Sequence, residues 1–164
     1  VDQGIFVDER MRTNVAGIWA AGDVAQARGF FEPSRVLNAT LPNAVEQGRV
    51  GGMDMAGDPA LKEYAGAVGM NTYKFFGHRA FSAGMIREEE GCEVERKSAA
   101  ESFRYEKLVF KDDRLVGASG INSDLDPGIM YQIIRRKAYL GDTKARFCAA
   151  PVDISRVMMT NIWR

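Results

Sequence analysis

Asp23 closes the run Ile18 to Asp23 within the stretch TNVAGIWAAGDVAQA, Thr13 to Ala27, directly after Ala20, Ala21 and Gly22. A carboxylate is a strong acceptor for hydroxyl donors. Residues with little or no side chain before it let a ligand lie against the backbone. Ile18 to Ala21, IWAA, is apolar throughout, which predicts a strand buried on both faces. The carboxyl end of such a strand is where open α/β sheets bind ligands. A polyhydroxylated ligand, a sugar or a ribityl chain, suits this carboxylate, whereas a phosphate there meets like-charge repulsion. Spacing leaves a second reading open, in which Asp23 only caps a turn.

The second candidate is LPNAVEQGRVGGMDM, Leu41 to Met55. Thr40 suits an N-cap and Pro42 falls where its missing N–H does no harm, so a helix is predicted with Leu41, Pro42, Asn43 and Ala44 as its first turn. Gly48, Gly51 and Gly52 each cost about 1 kcal/mol relative to alanine. With Ala44 they recur at spacings of three and four, a stripe that lets another backbone or a flat ligand approach. Close helix–sheet packing accounts for the same stripe.

These residues need elements to hold them. Gly4 to Val7 reads as a strand, Asp8 to Asn14 as a turn region and Gly29 to Asn38 as a loop. Gly57-Asp58-Pro59 stops the helix, and a domain boundary is placed there, between residues 1–57 and 58–164. Beyond it, Asn71 to Phe76, Arg79 to Met85, Cys92 to Ser98, Phe103 to Lys111 and Leu115 to Ile121 read as strands, with Asp112-Asp113 as a hairpin turn. Pro127 to Lys137 has an apolar face of Met130, Ile133 and Ile134 and a basic end, so it reads as a helix. Asp153 is expected to cap a last helix running to Ile162. The fold class is α+β, with an antiparallel sheet dominating the second part.

Twenty-two basic and 22 acidic residues give a formal net charge of +0, which removes any general electrostatic attraction to nucleic acid or a membrane surface. The densest charge run, Arg87 to Lys97, reads as a solvated loop entering an exposed strand. No run of about 18 apolar residues suits a membrane span, and no signal peptide is recognisable. Cys92 and Cys148 lack metal or redox spacing, so two reduced thiols in a cytoplasmic protein are expected. The single His78 reads as a turn histidine at a strand end. No metal site and no catalytic residue is assigned. The start, Val1-Asp2-Gln3-Gly4, reads like the interior of a longer chain.

TNVAGIWAAGDVAQA resembles the second flavin-binding motif of the pyridine nucleotide-disulfide oxidoreductases, with Thr13, Trp19, Ala20, Gly22 and Asp23 in the motif places. GIFVDERMRT, Gly4 to Thr13, resembles the strand and turn before that motif. LPNAVEQGRVGGMDMAG, Leu41 to Gly57, resembles the helix after it, and YEKLVFKDDRLVGASGI, Tyr105 to Ile121, a hairpin of the family's C-terminal interface domain. The branch concerned includes NADH oxidases, coenzyme A-disulfide reductases, rubredoxin reductases and nitrite reductase flavin domains. The resemblance implies a partial FAD-binding segment at 1–57 and a dimerisation domain at 58–164. It implies that Asp23, after Gly22, bonds the ribityl hydroxyls of FAD. The first turn, Leu41, Pro42, Asn43 and Ala44, would face the flavin pyrimidine edge. The family usually has a bulky aromatic near Leu41, which this chain lacks. NADH or NADPH is the implied co-substrate, and a homodimer and a redox partner protein are the implied associations. The G-x-G-x-x-G fingerprint of dinucleotide binding is absent, so the chain reads as the C-terminal part of a flavoenzyme, inactive by itself. A non-catalytic dimerisation or interaction module with the same fold is the alternative.

Overall fold

A computed structural model of the chain describes residues 2–31 and 34–162. The chain divides into two compact units, Val1–Gly69 and Met70–Arg164.

The first unit holds a three-stranded sheet of β1 (Ile5–Phe6), β2 (Ala25–Arg28) and β3 (Arg35–Leu37), followed by helix α1 (Leu41–Met55). β1 and β2 run parallel, β2 and β3 antiparallel. Val7, Met11, Ala25, Ala27 and Val50 are buried together with Tyr64. Helix α1 starts where the proline rule places it and ends in a Schellman motif. Gly57 has φ +64°, its N–H meets the Asp54 carbonyl at 3.1 Å, and Asp58 N–H meets the Met53 carbonyl at 3.0 Å. This satisfies carbonyls that would otherwise be orphaned at the helix end. Thr40 has the extended backbone of an N-cap, but its hydroxyl donates to Asn38 Oδ1 at 3.2 Å instead of capping the helix.

The helix stop at Gly57 is not where the units part. Tyr64 N–H reaches back to the Glu9 carbonyl at 2.7 Å, and Asn38 Nδ2 donates to the Ala67 carbonyl at 2.9 Å. At Gly66, φ +91°, an added Cβ would lie 2.6 Å from the Gly29 carbonyl oxygen. Residues 58–69 are therefore laced to the first unit.

Two further sequence expectations in this unit fail. Ile18 to Ala21 is extended but is not a doubly buried strand. It pairs only through an isolated bridge between Trp19 and Arg12. Ile18 is 53% exposed, because no further strand lies against it among the described residues. The following residues form β2 instead, so Asp23 lies at the entry of a strand. The expected loop Gly29 to Asn38 contains β3, where Val36 and Leu37 pair with Ala27 and Gln26. A run of three residues is too short to show a period.

The second unit is a five-stranded antiparallel sheet in the order β4-β5-β8-β7-β6. Its strands are β4 (Met70–Phe75), β5 (His78–Gly84), β6 (Glu93–Ala99), β7 (Arg104–Lys111) and β8 (Arg114–Ile121), followed by helices α2 (Pro127–Arg135), α3 (Lys144–Ala149) and α4 (Pro151–Ile162). Asp112 and Asp113, at φ 50° and 54°, form the two-residue turn between β7 and β8, since aspartate tolerates that region better than most residues. Asp126 caps α2, its Oδ1 accepting from Ile129 N–H at 3.0 Å. Met130, Ile133 and Ile134 of α2 are buried with Leu108, Phe110 and Leu115 of the sheet. Phe110 and Phe147 meet edge to face at 6.1 Å, each fully buried, and each such side chain contributes roughly 1.5–3 kcal/mol.

Arg87 to Cys92 is a loop and β6 is exposed, as the charge run implies. His78 is the first residue of β5, with Nδ1 at 2.9 Å from Asn122 Nδ2. Asp153 does not cap the last helix; α4 begins at Pro151 and Asp153 lies in its first turn. Helix α3, which supplies Phe147, has one buried apolar residue in six and gives no periodic signal. Both cysteines are free thiols. Phe75 is 49% and Phe76 96% exposed, while Phe81 is buried. Trp163 and the side chain of Ile162 lie outside the described residues. No helix among the described residues is long and apolar enough to cross a membrane.

Candidate functional site

Gly22, Asp23 and Val24 form a single tight turn between the extended run and β2. Gly22 has φ +82°, and an added Cβ there would meet Ala44 Cβ at 3.7 Å, so the turn lies against the start of α1. Gln47 fixes it: the fully buried amide accepts the Gly22 N–H at 2.8 Å. Sequence reading overlooked Gln47. Its only signal was a polar residue one turn beyond Asn43 on the face that α1 buries. Asp23 itself is exposed, and its carboxylate meets no donor among the described residues.

The first turn of α1 divides its tasks. Leu41 is 78% exposed. Pro42 has no N–H to offer. Ala44 N–H is taken by the Thr40 carbonyl at 3.0 Å, leaving the N–H groups of Leu41 and Asn43 without an acceptor among the described residues. The Asn43 side chain is buried and structural: Nδ2 donates to the Asn38 carbonyl and Oδ1 accepts from the Tyr64 hydroxyl. Asn43 can therefore serve a ligand by its backbone, not by its amide. The structure brings Gly22, Asp23 and Ala44 together at one end of α1.

The glycine stripe does not act as one surface. Gly51 packs on Met11, at 3.4 Å from an added Cβ to Met11 Cβ, whereas Gly48 and Gly52 face open space.

At the other end of α1, Asp54 is a clamp that the sequence did not reveal. Arg12 donates to both its carboxylate oxygens, at 2.5 and 2.7 Å, and Trp19 Nε1 donates at 2.9 Å. The Arg12 bonds, and then that of Trp19, hold the Asp54 carboxyl below its ordinary value of 3.8. A depressed carboxyl stabilises the fold above its unfolded pKa, and that contribution is lost as pH falls through the folded value. Asp54→Asn is therefore expected to lower the melting temperature at pH 7 and to melt more nearly like wild type as pH falls below about 4. Melting curves from pH 7 to pH 3 check this; a constant gap between the two proteins across that range contradicts it.

Two family models match the chain. Residues 1–48 match the family described as pyridine nucleotide-disulphide oxidoreductase, and residues 70–124 match the rubredoxin NAD+ reductase C-terminal domain. The chain belongs to the pyridine nucleotide-disulphide oxidoreductases. All six candidate residues, Gly22, Asp23, Leu41, Pro42, Asn43 and Ala44, fall inside the segment matched to this family. The chain is 48% identical, over 99% of its length, to the NADH-dependent phenylglyoxylate dehydrogenase subunit epsilon of Aromatoleum evansii, and spans 38% of that relative. An FAD-dependent pyridine nucleotide-disulphide oxidoreductase from Desulfovibrio vulgaris shares the fold at TM-score 0.68 and 24% identity, over 99% of this chain and 43% of its own. The covalent putidaredoxin reductase–putidaredoxin complex gives TM-score 0.69 at 22% identity, over 84% of this chain and 32% of its own. The chain thus spans less than half the length of each of these proteins.

Proposed function

We propose that residues 1–57 hold the ribityl and pyrimidine end of FAD. The enzyme would transfer hydride from NADH or NADPH, by way of FAD, to an acceptor such as oxygen, a disulfide or a redox protein. Residues 58–164 would serve as its interface domain. The observation that carries this reading is the turn of Gly22 to Val24 seated on α1. It sets the Asp23 carboxylate beside two N–H groups at a helix start, all three without partners among the described residues. That donor and acceptor set fits a ligand with hydroxyls at one end and an electron-rich edge at the other.

FAD, when bound, supplies the redox chemistry. Asp23 accepts hydrogen bonds from the ribityl hydroxyls and so fixes the chain's position. The N–H groups of Leu41 and Asn43, with the positive end of the α1 dipole, favour negative charge at the pyrimidine edge. Pro42 stiffens that turn, and Ala44 and Gly22 allow the close approach that keeps both parts in register. Gln47 holds the turn without touching the ligand. No residue of this chain is assigned a covalent step.

A homodimer through the second unit and a redox protein partner belong to the same proposal. The match to the rubredoxin reductase domain and the fold shared with putidaredoxin reductase support the partner. The exposed Phe75 and Phe76 support an interface, since aromatic residues are enriched at interface cores. Cytoplasmic location is proposed from the two free thiols, with cell fractionation as its check.

The reading requires a longer polypeptide that carries the dinucleotide fingerprint. As part of such a longer polypeptide, the protein is expected to show the absorbance of bound flavin and to oxidise NADH or NADPH. The 164 residues alone are expected to be colourless. Sedimentation of the longer protein over a dilution series should show a dimer dissociating. A longer protein free of flavin favours the non-catalytic module, and a monomer at every concentration removes the dimer.

A further inference from the structure

Lys74 of β4 and Arg79 of β5 stand directly opposite each other in the antiparallel register. Like charges in that arrangement repel, and both residues are exposed at the surface of the unit. Neither side chain makes a hydrogen bond or ion pair among the described residues. Four other cations of the same unit are matched: Arg96 and Lys107 with Glu88, Arg104 with Glu106 and Asp124, and Lys144 with Glu93 and Asp113. A facing pair of unmatched cations is a place where an anion would be gained at little further cost.

The space for one is present. Lys74 and Arg79 line a cavity of about 380 Å³, with Phe81, Leu125 and Pro127 as apolar walls and Thr72 beside them. Phe81 and Leu125 are 7% and 5% exposed, so these walls are parts of the packed unit. The neighbouring polar groups do not neutralise the two cations. Ser123, also on the cavity, donates its hydroxyl to Glu106 at 2.8 Å and accepts the Leu125 N–H at 3.0 Å. Glu106 is already paired with Arg104 at 3.3 Å. Positive charge at the rim and apolar surface inside together select a ligand with an anionic head and an apolar body.

We propose that this cavity binds an organic anion, its carboxylate or phosphate head between Lys74 and Arg79 and its apolar part against Phe81, Leu125 and Pro127. The site lies wholly within the second unit and does not depend on the flavin reading.

The test is titration of the ¹⁵N-labelled 164-residue chain with phenyl phosphate, benzoate and, as an uncharged control, benzyl alcohol. At least one anion should give saturable amide shifts confined to residues 72–81 and 123–127. The tighter of the two anions identifies the head group. Arg79→Gln is expected to weaken binding about 10-fold or more, the scale of one lost charge-assisted hydrogen bond. Lys74→Glu should abolish binding while raising the melting temperature, since the new carboxylate would face Arg79. The proposal is overturned by shifts that are absent or spread over other basic surface. It is equally overturned by affinities unchanged in both variants, or by benzyl alcohol binding as tightly as the anions.

Discussion

Gly117→Ala is expected to destabilise the second unit by about 3 kcal/mol or more, the range of a forced backbone displacement in a packed core. Gly117 of β8 pairs with Gly84, the last residue of β5. The chain then turns so that Met85 N–H bonds the Val116 carbonyl at 2.9 Å. The Met85 carbonyl comes to lie over the Cα of Gly117, where an added Cβ would overlap it. A backbone carbonyl cannot swing aside as a side chain can, so either the β5–β8 pairing or the Met85 turn must give way. Gly84 faces the same obstacle from the Val116 carbonyl and has φ +69° besides. For a unit of this size the loss corresponds to a drop of roughly 12 °C or more in melting temperature. Gly52→Ala on α1 is the internal contrast. Its added Cβ would meet nothing, and an exposed helical glycine gains about 0.5–1 kcal/mol on becoming alanine. Calorimetry of the two variants separates the cases. A Gly117→Ala protein melting within 2–3 °C of wild type, about 0.5 kcal/mol, would mean that the close approach of Met85 is not obligatory.

These contrasts show what a sequence can and cannot carry. The turn at Asp112-Asp113 was legible because two residues that tolerate positive φ stand between two alternating apolar runs. Helix α1 was legible from the proline in its first turn and the glycine at its end. Ile18 to Ala21 misled because apolar composition reports what a segment can bury against, not whether a partner strand lies beside it. The boundary at Gly57 followed from a correct helix stop. What it missed is that Tyr64 returns to Glu9 and Asn43, contacts 55 and 21 residues apart in sequence. The same distance problem hid part of the site. Asn43 reads only as a first-turn residue, whereas its side-chain amide is committed to Asn38 and Tyr64. Gln47 and Asp54 read as ordinary polar positions on a helix, and only the folded chain brings Gly22 to one and Arg12 and Trp19 to the other. Local rules gave helix α1, which carries one half of the candidate site; the turn that carries Asp23 and the supporting groups depend on long-range pairing that no local window contains.

Asp23→Ala is expected to release FAD from the flavin-bearing longer protein about 10- to 100-fold more readily, the equivalent of a charge-assisted hydrogen bond worth roughly 1.5–3 kcal/mol. The fold should not change. Asp23 is exposed in a tight turn, its side chain supports no other residue among those described, and the turn is held by Gly22 N–H on Gln47 at 2.8 Å. Asp23→Asn keeps one carbonyl oxygen as an acceptor but loses the charge, so it should fall between wild type and alanine. Gln47→Ala offers the complementary case. It removes the acceptor that seats the turn and leaves Gly22 N–H unpaired, so it should weaken flavin retention and thermal stability together. The measurement is free FAD at equilibrium over a dilution series, read by fluorescence, with a melting curve for each variant. If Asp23→Ala retains flavin as wild type does, the carboxylate is only a turn residue. If it loses flavin and melts lower by the same margin as Gln47→Ala, its role is to hold the turn. Loss of flavin with an unchanged melting temperature is the result that places the ribityl hydroxyls at Asp23, because only a ligand contact is absent from the ligand-free fold.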